Sequence, residues 1–97
     1  MAYFVLKFVP HRPDFPADLS AAESSVMNEH FAYWQKCLQD RIAVVYGPVG
    51  DPGGVWGLAV VEVGTLADAH ALRDRDPVVV GDLGVTEVYP MLNALVR

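Results

Sequence analysis

The sequence predicts an α+β fold: a ferredoxin-like β-α-β-β-α-β unit whose antiparallel sheet carries both helices on one face. Three observations lead there. Two apolar runs, Tyr3–Val9 and Val55–Val63, have Lys7 and Glu62 as their only charged residues, the pattern of strands covered on both faces. Two capping signatures, Ser20-Ala21-Ala22-Glu23 and Thr65-Leu66-Ala67-Asp68, each open a stretch with apolar residues at helical spacing. Two further strand-like segments, Ile42–Tyr46 and Val85–Met91, complete the split βαβ order. Right-handed crossovers then put both helices on the same side of the sheet.

Taken in order, Tyr3–Val9 reads as a central strand. Pro10, Pro13 and Pro16 interrupt the chain after it, so residues 10–16 form an extended loop that exposes His11 and Arg12. These two are either solvated loop charges or an anion contact at a pocket mouth. Ser20–Asp40 is the first helix, with Met27, Phe31, Trp34 and Leu38 as its apolar stripe and His30 projecting within it. Ile42–Tyr46 is a short strand. Gly47–Gly54 is a turn-rich connection, which lacks the Gly-Lys-Ser/Thr ending of a phosphate-binding loop. The second long strand comes next, and then a helix whose buried face is Leu66, Ala69 and Leu72. Pro77 ends that helix at Asp76. Residues 78–83 form an irregular turn, and Val85–Met91 is an edge strand with Pro90 near its end.

Composition narrows the function classes. Of 97 residues, 53% are hydrophobic and 20% charged, which predicts one folded domain spanning residues 1–97. A net charge of -5 without a basic stripe excludes non-specific nucleic-acid binding. No apolar run is long enough for a bilayer, and a signal peptide's basic start is missing, so no membrane partner is expected. A lone cysteine, Cys37, predicts a reducing cytoplasmic setting and reads as a small buried hydrophobe. The helix-free face of the sheet would expose Phe, Val and Leu side chains, which predicts a homodimer packed sheet on sheet.

The residues able to carry chemistry are few. His30 is either a core histidine with one satisfied nitrogen or an acid/base group, since an imidazole titrates near neutrality. Asp76 stands seven residues after Ala69. It either caps the turn that Pro77 begins or serves as a functional carboxylate, and the roles are compatible. His30 and Cys37 lie about 10 Å apart by helix rise, too far for one metal, and no His or Cys pair stands at ligand spacing. His70 and Asp74, one turn apart, read as a surface pair. No glycine fingerprint for a dinucleotide and no serine nucleophile elbow occurs, so no cofactor is expected. Proton transfer by an imidazole oriented by a carboxylate is the remaining chemistry, suited to elimination or isomerisation.

Several short motifs then fall into a familiar order: Glu29-His30-Phe31-Ala32-Tyr33-Trp34, Tyr46-Gly47-Pro48, Asp76-Pro77 and Glu87-Val88-Tyr89-Pro90. Together with Tyr3–Pro13 and Trp56-Gly57-Leu58, they resemble the YCII-related (YciI-like) family over nearly the whole chain. The resemblance implies a dimeric α/β-barrel built from ferredoxin-like protomers. It also implies an active-site His-Asp pair, which falls on His30 and Asp76. One known family member is a dehydrochlorinase acting on a chlorinated hydroxyquinol. Residues 78–84 are less aromatic and richer in glycine than the family pattern.

Two functions are expected on these grounds. The first is a cofactor-independent lyase or isomerase acting on a small organic acid or (chloro)phenolic compound. In it His30 is the acid or base, Asp76 fixes its tautomer, and Trp34, Tyr46 and Trp56 wall the substrate site. The second is a non-catalytic small-molecule-binding or regulatory module using the same pocket or the dimer surface.

Overall fold

Strand β1 (Ala2–Pro10) is the middle of the structure, a computed structural model that describes residues 1–15 and 17–97. It pairs antiparallel with β3 (Trp56–Val63) on one side and β4 (Gly84–Pro90) on the other. β2 (Ala43–Val49) adds to the far edge of β3, giving the sheet order β2-β3-β1-β4. The two long apolar runs are therefore the two inner strands. Helices α1 (Ala21–Gln39) and α2 (Leu66–Arg75), with the short α3 (Pro77–Val80), complete the ferredoxin-like α+β fold.

Strand alternation sorts the faces. Phe4, Leu6 and Phe8 of β1 and Ala59, Val61 and Val63 of β3 point to the helices and are buried. They meet Trp34 and Cys37 of α1 and Ala69 and Leu72 of α2 in the main core. A second cluster forms at one end, where Phe8, Phe15 and Val78 pack with Met27 and Leu83. The opposite face has Val5, Lys7, Leu58 and Val60 at its centre. Both strand phenylalanines turn inward, so of the expected Phe, Val and Leu this face carries only valine and leucine, together with Tyr3, Tyr89, Trp56 and charged Lys7, Glu62 and Glu87.

Both capping boxes form. The Ser20 hydroxyl accepts from the Glu23 N–H at 3.1 Å, and a Glu23 carboxylate oxygen accepts from the Ser20 N–H at 2.9 Å. Thr65 and Asp68 do the same at the start of α2. The buried face of α1 is His30, Trp34 and Cys37, rotated from the expected stripe, so that Phe31 (54% exposed) and Leu38 (38% exposed) lie outside it. The spacing 30, 34, 37 is as good a helical seam as 27, 31, 34, 38, and the sheet selects it. Leu66 is likewise exposed, because as the first residue of α2 it precedes the point where the helix meets the sheet.

Other departures are local. β2 runs on through Gly47 and Pro48 to Val49, paired with β3; Pro48 stands on the edge strand, where its missing N–H costs no ladder bond. Residues 77–80 are a helical turn with Pro at its first position, not an irregular one. Gly84 admits no side chain, since a Cβ there would lie 2.2 Å from the Val9 carbonyl oxygen and 2.6 Å from the Phe8 ring. Pro16, one of the loop prolines, lies outside the described residues. Arg12 is half-buried and engaged: its guanidinium donates to both Glu23 carboxylate oxygens at 2.6 and 2.8 Å and to Asp18. An anion at this loop would have to displace those carboxylates. Asp74 accepts from Arg73 at 3.0 Å instead of pairing with His70.

The Arg12 hydrogen bonds, with the Ser20 N–H behind them, hold the Glu23 carboxyl at a pKa of about 2 against an ordinary 4.5. A depressed folded-state pKa contributes stability that is complete above the unfolded value and lost as pH falls through the folded one. Wild type is therefore expected to exceed Glu23→Gln in urea-unfolding stability at neutral pH. The difference should shrink below pH 4.5 and vanish near pH 2.

Candidate active site

The α2–α3 junction places a carboxylate inside the protein. Asp76 ends α2 by donating its N–H to the Arg73 carbonyl, and it caps α3 by accepting the Val78 N–H on Oδ1 at 3.1 Å. Pro77 makes this junction: it cannot continue α2, yet its fixed φ suits the first position of α3. Asp76 is 2% exposed, and burying an ionised carboxylate demands hydrogen bonds to both oxygens. Oδ2 accepts from the Trp34 indole N–H at 2.8 Å, and Oδ1 lies 2.6 Å from His30 Nδ1. Indole and backbone N–H groups can only donate, so both oxygens act as acceptors.

The carboxylate selects the His30 tautomer. With Asp76 accepting at Nδ1, that nitrogen carries the hydrogen, and a neutral ring presents a bare Nε2. Nε2 lies 2.6 Å from the Tyr46 hydroxyl. The chain of contacts runs from the Val78 N–H and Trp34 indole to Asp76, then His30, then Tyr46. His30 is itself 2% exposed. Tyr46 reaches it from β2, where the residue pairs with Ala59, and the small Ala59 side chain leaves room beside the phenol ring. That ring stacks on Trp34 at 5.7 Å with 5° between planes and meets His30 edge-on at 5.2 Å. Burial, with a smaller effect of the Asp76 charge, pushes the Tyr46 phenol up to about 12, so it stays protonated at neutral pH.

A cleft opens beside these rings. It is lined by Phe8, Phe15, Met27, His30, Tyr46 and Val55 among others, and measures about 340 Å³ counting the part continuous with solvent. Its free interior is about 50 Å³, room for a few waters. That is less room than an aromatic ring fills, and Met27 is the flexible side chain of the lining. A smaller hollow behind it, about 190 Å³ on the same measure, touches His30, Trp34, Tyr46, Asp76 and Thr86. The buried Thr86 hydroxyl has no hydrogen-bond partner among the described residues. Among the described residues, the cleft is lined by no lysine or arginine.

The structure thus brings His30, Asp76, Trp34 and Tyr46 together. Trp34 lies behind Tyr46 and donates to Asp76. Trp56 borders the outer cleft, but strand alternation turns its side chain to the helix-free face, where the Lys7 ammonium sits 4.8 Å above the ring and Asp51 accepts its N–H. Two features escaped the sequence reading. Tyr46 is a hydrogen-bond partner of His30 and not simply a wall, a fact that only the β2–β3 register with Ala59 could have signalled. Thr86 is the inward-facing polar residue of β4, and nothing local marks it.

No family model matches the sequence, and no curated protein matches it. Among solved structures, the fold is similar to 5-chloro-2-hydroxyhydroquinone dehydrochlorinase from Burkholderia phenoliruptrix AC1100, determined in complex with 2,5-dihydroxybenzoquinone. The match covers 94% of this chain and 95% of that one, with a TM-score of 0.65 and 17% identity. At that identity the likeness establishes the fold.

Removing the carboxylate strands three donors in the interior. Asp76→Ala is expected to cost about 3–5 kcal/mol in urea unfolding, and Asp76→Asn, which keeps one acceptor oxygen, less. A cost below about 1 kcal/mol for Asp76→Ala would show that the buried network adds little.

Proposed function

We propose that the protein is a cofactor-independent lyase or isomerase in which the His30–Asp76 pair moves a proton on a small phenolic or quinol compound. The observation that carries this reading is a sealed imidazole with Nδ1 2.6 Å from a buried carboxylate and Nε2 2.6 Å from the Tyr46 hydroxyl, at the edge of an apolar cleft that His30 and Tyr46 both line. When the imidazole takes a proton, Asp76 balances the new charge across the Nδ1–H bond, without water to weaken it. A lining that offers no fixed cation favours a phenol or quinol over a small carboxylic acid, which would bring an uncompensated charge. The dehydrochlorinase with the similar fold was determined with a dihydroxybenzoquinone, a ligand of that class. The resemblance of the motifs around His30 and Asp76 to the YciI-like family supports the same assignment. Loss of hydrogen chloride from a chlorinated quinol needs no oxidant: net, one proton goes to the base, and chloride leaves with the electron pair of its carbon–chlorine bond.

The 97 residues act in this reading as one domain, in a reducing compartment suited to the lone Cys37. Tyr46 and the border of Trp56 form the substrate walls in this reading, with Trp34 stacked behind Tyr46 as its support. The helix-free face packs against a second copy. Val45, Val85 and Tyr89 lie exposed on it, and the terminal Leu95 and Val96 frame a hollow with Tyr3 and Val60 beside it.

Chloride release from 5-chloro-2-hydroxyhydroquinone and related chloroquinols tests the enzymatic reading. Wild type should turn over at least one of them, and His30→Gln should lose about 100-fold or more. Turnover undiminished in His30→Gln would remove the mechanism, whereas ligand-induced thermal stabilisation without any turnover would favour a binding module. Sedimentation should return twice the chain mass for wild type and a monomer for Val45→Glu/Tyr89→Glu. A monomeric wild type at high concentration would refute the paired sheets.

A further inference from the structure

We propose that the Tyr46 hydroxyl, and not a nitrogen of His30, is the group that exchanges the proton with the ligand, the His30–Asp76 pair acting through it. This rests on the proton-transfer reading of the site and goes further in naming the atom that touches the ligand.

Both imidazole nitrogens are occupied. Nδ1 faces Asp76 at 2.6 Å and Nε2 faces the Tyr46 oxygen at 2.6 Å, in a side chain only 3% exposed. A ligand in the cleft finds no free lone pair or N–H on the ring. Tyr46 is half-buried and borders both the cleft and the hollow behind it. Its hydroxyl donates to Nε2, and among the described residues that is its only polar partner, so the oxygen keeps lone pairs for a further donor. The ring cannot swing away cheaply, being clamped by the Trp34 stack and by edge contacts with His30 and Phe31. The surrounding lining is apolar, so a phenolic O–H entering the cleft has the Tyr46 oxygen as its natural acceptor.

The transfer balances as two linked steps. The ligand O–H bond breaks, its electron pair stays on the ligand oxygen, and the proton joins the Tyr46 oxygen. The original Tyr46 proton crosses to His30 Nε2, leaving an imidazolium whose Nδ1–H remains bonded to the Asp76 carboxylate. Tyr46 ends neutral, as it began. With its phenol held near 12 by burial, Tyr46 does not store charge itself, and the imidazole beyond it receives the proton.

A titration with phenol tests this without requiring turnover. Protein carrying ¹⁵N in the histidine rings and ¹³C at the tyrosine Cζ is compared with Tyr46→Phe. In wild type, His30 Nε2 should keep the signal of a hydrogen-bonded nitrogen when phenol saturates, while the Tyr46 Cζ signal moves. A move of Nε2 to the position it takes in phenol-saturated Tyr46→Phe would mean that phenol displaces the hydroxyl and meets the imidazole directly, which overturns the proposal and leaves the His30–Asp76 reading standing. No response in either signal at saturating phenol would overturn both.

Kinetics on whichever chloroquinol is turned over add a second arm. Tyr46→Phe should lower kcat about 100-fold or more with KM within about threefold, and Tyr46→Phe/His30→Gln should be no worse than either single variant, as for groups acting as a unit. A loss confined to KM would overturn the relay and return Tyr46 to a wall.

Discussion

The carboxylate of Asp76, held 2% exposed by N–H donors from two different helices, is the constraint on which the rest of the site depends. A buried charge survives only where its oxygens are fully engaged, and here the engagement also locks geometry. The Val78 N–H ties the carboxylate to α3, while His30 and Trp34 tie it to α1 one turn apart on the same face. Any displacement of α1 against the α2–α3 junction would break two of these bonds together. The polar chain therefore fixes the seating of the helices as much as the helices fix the chain.

From that anchor the consequences run outward. Because Asp76 accepts at Nδ1, Nε2 is the side of the imidazole that meets Tyr46. Trp34 serves twice, donating to the carboxylate from its indole edge and supporting the Tyr46 ring with its face. The apolar residues around them keep water sparse, which strengthens each charge-assisted contact. This buried polar arrangement grows out of ordinary core packing, with the cleft at the boundary between the main core and the Phe8–Phe15–Val78 cluster.

Much of this was legible in the chain. The inner strands followed from their two-sided apolar pattern, the helix starts from the capping residues, and the double duty of Asp76 from the Asp76-Pro77 step. The pairing of His30 with Asp76 came from the family resemblance and not from spacing, since the two residues are 46 positions apart. What was not legible depends on register. Which side of α1 faces inward was decided by the sheet among stripes of similar merit, so Phe31 and Leu38 turned outward. Whether Tyr46 reaches His30 is settled by its standing opposite Ala59, a β3 residue that faces the helices, while Trp56, three residues before Ala59 on the same strand, falls on the other face. A one-residue slip of β2 would turn Tyr46 away.

The most direct measurement of the central interaction is the proton on the His30 ring in the ligand-free protein, observed by proton–nitrogen correlation across the imidazole. The buried Asp76 carboxylate predicts a one-bond proton on Nδ1 and a bare, hydrogen-bonded Nε2 in the neutral ring. A proton found on Nε2 with Nδ1 bare would contradict the arrangement, because the carboxylate would then face a lone pair and could neither hold the tautomer nor stabilise the charged imidazole.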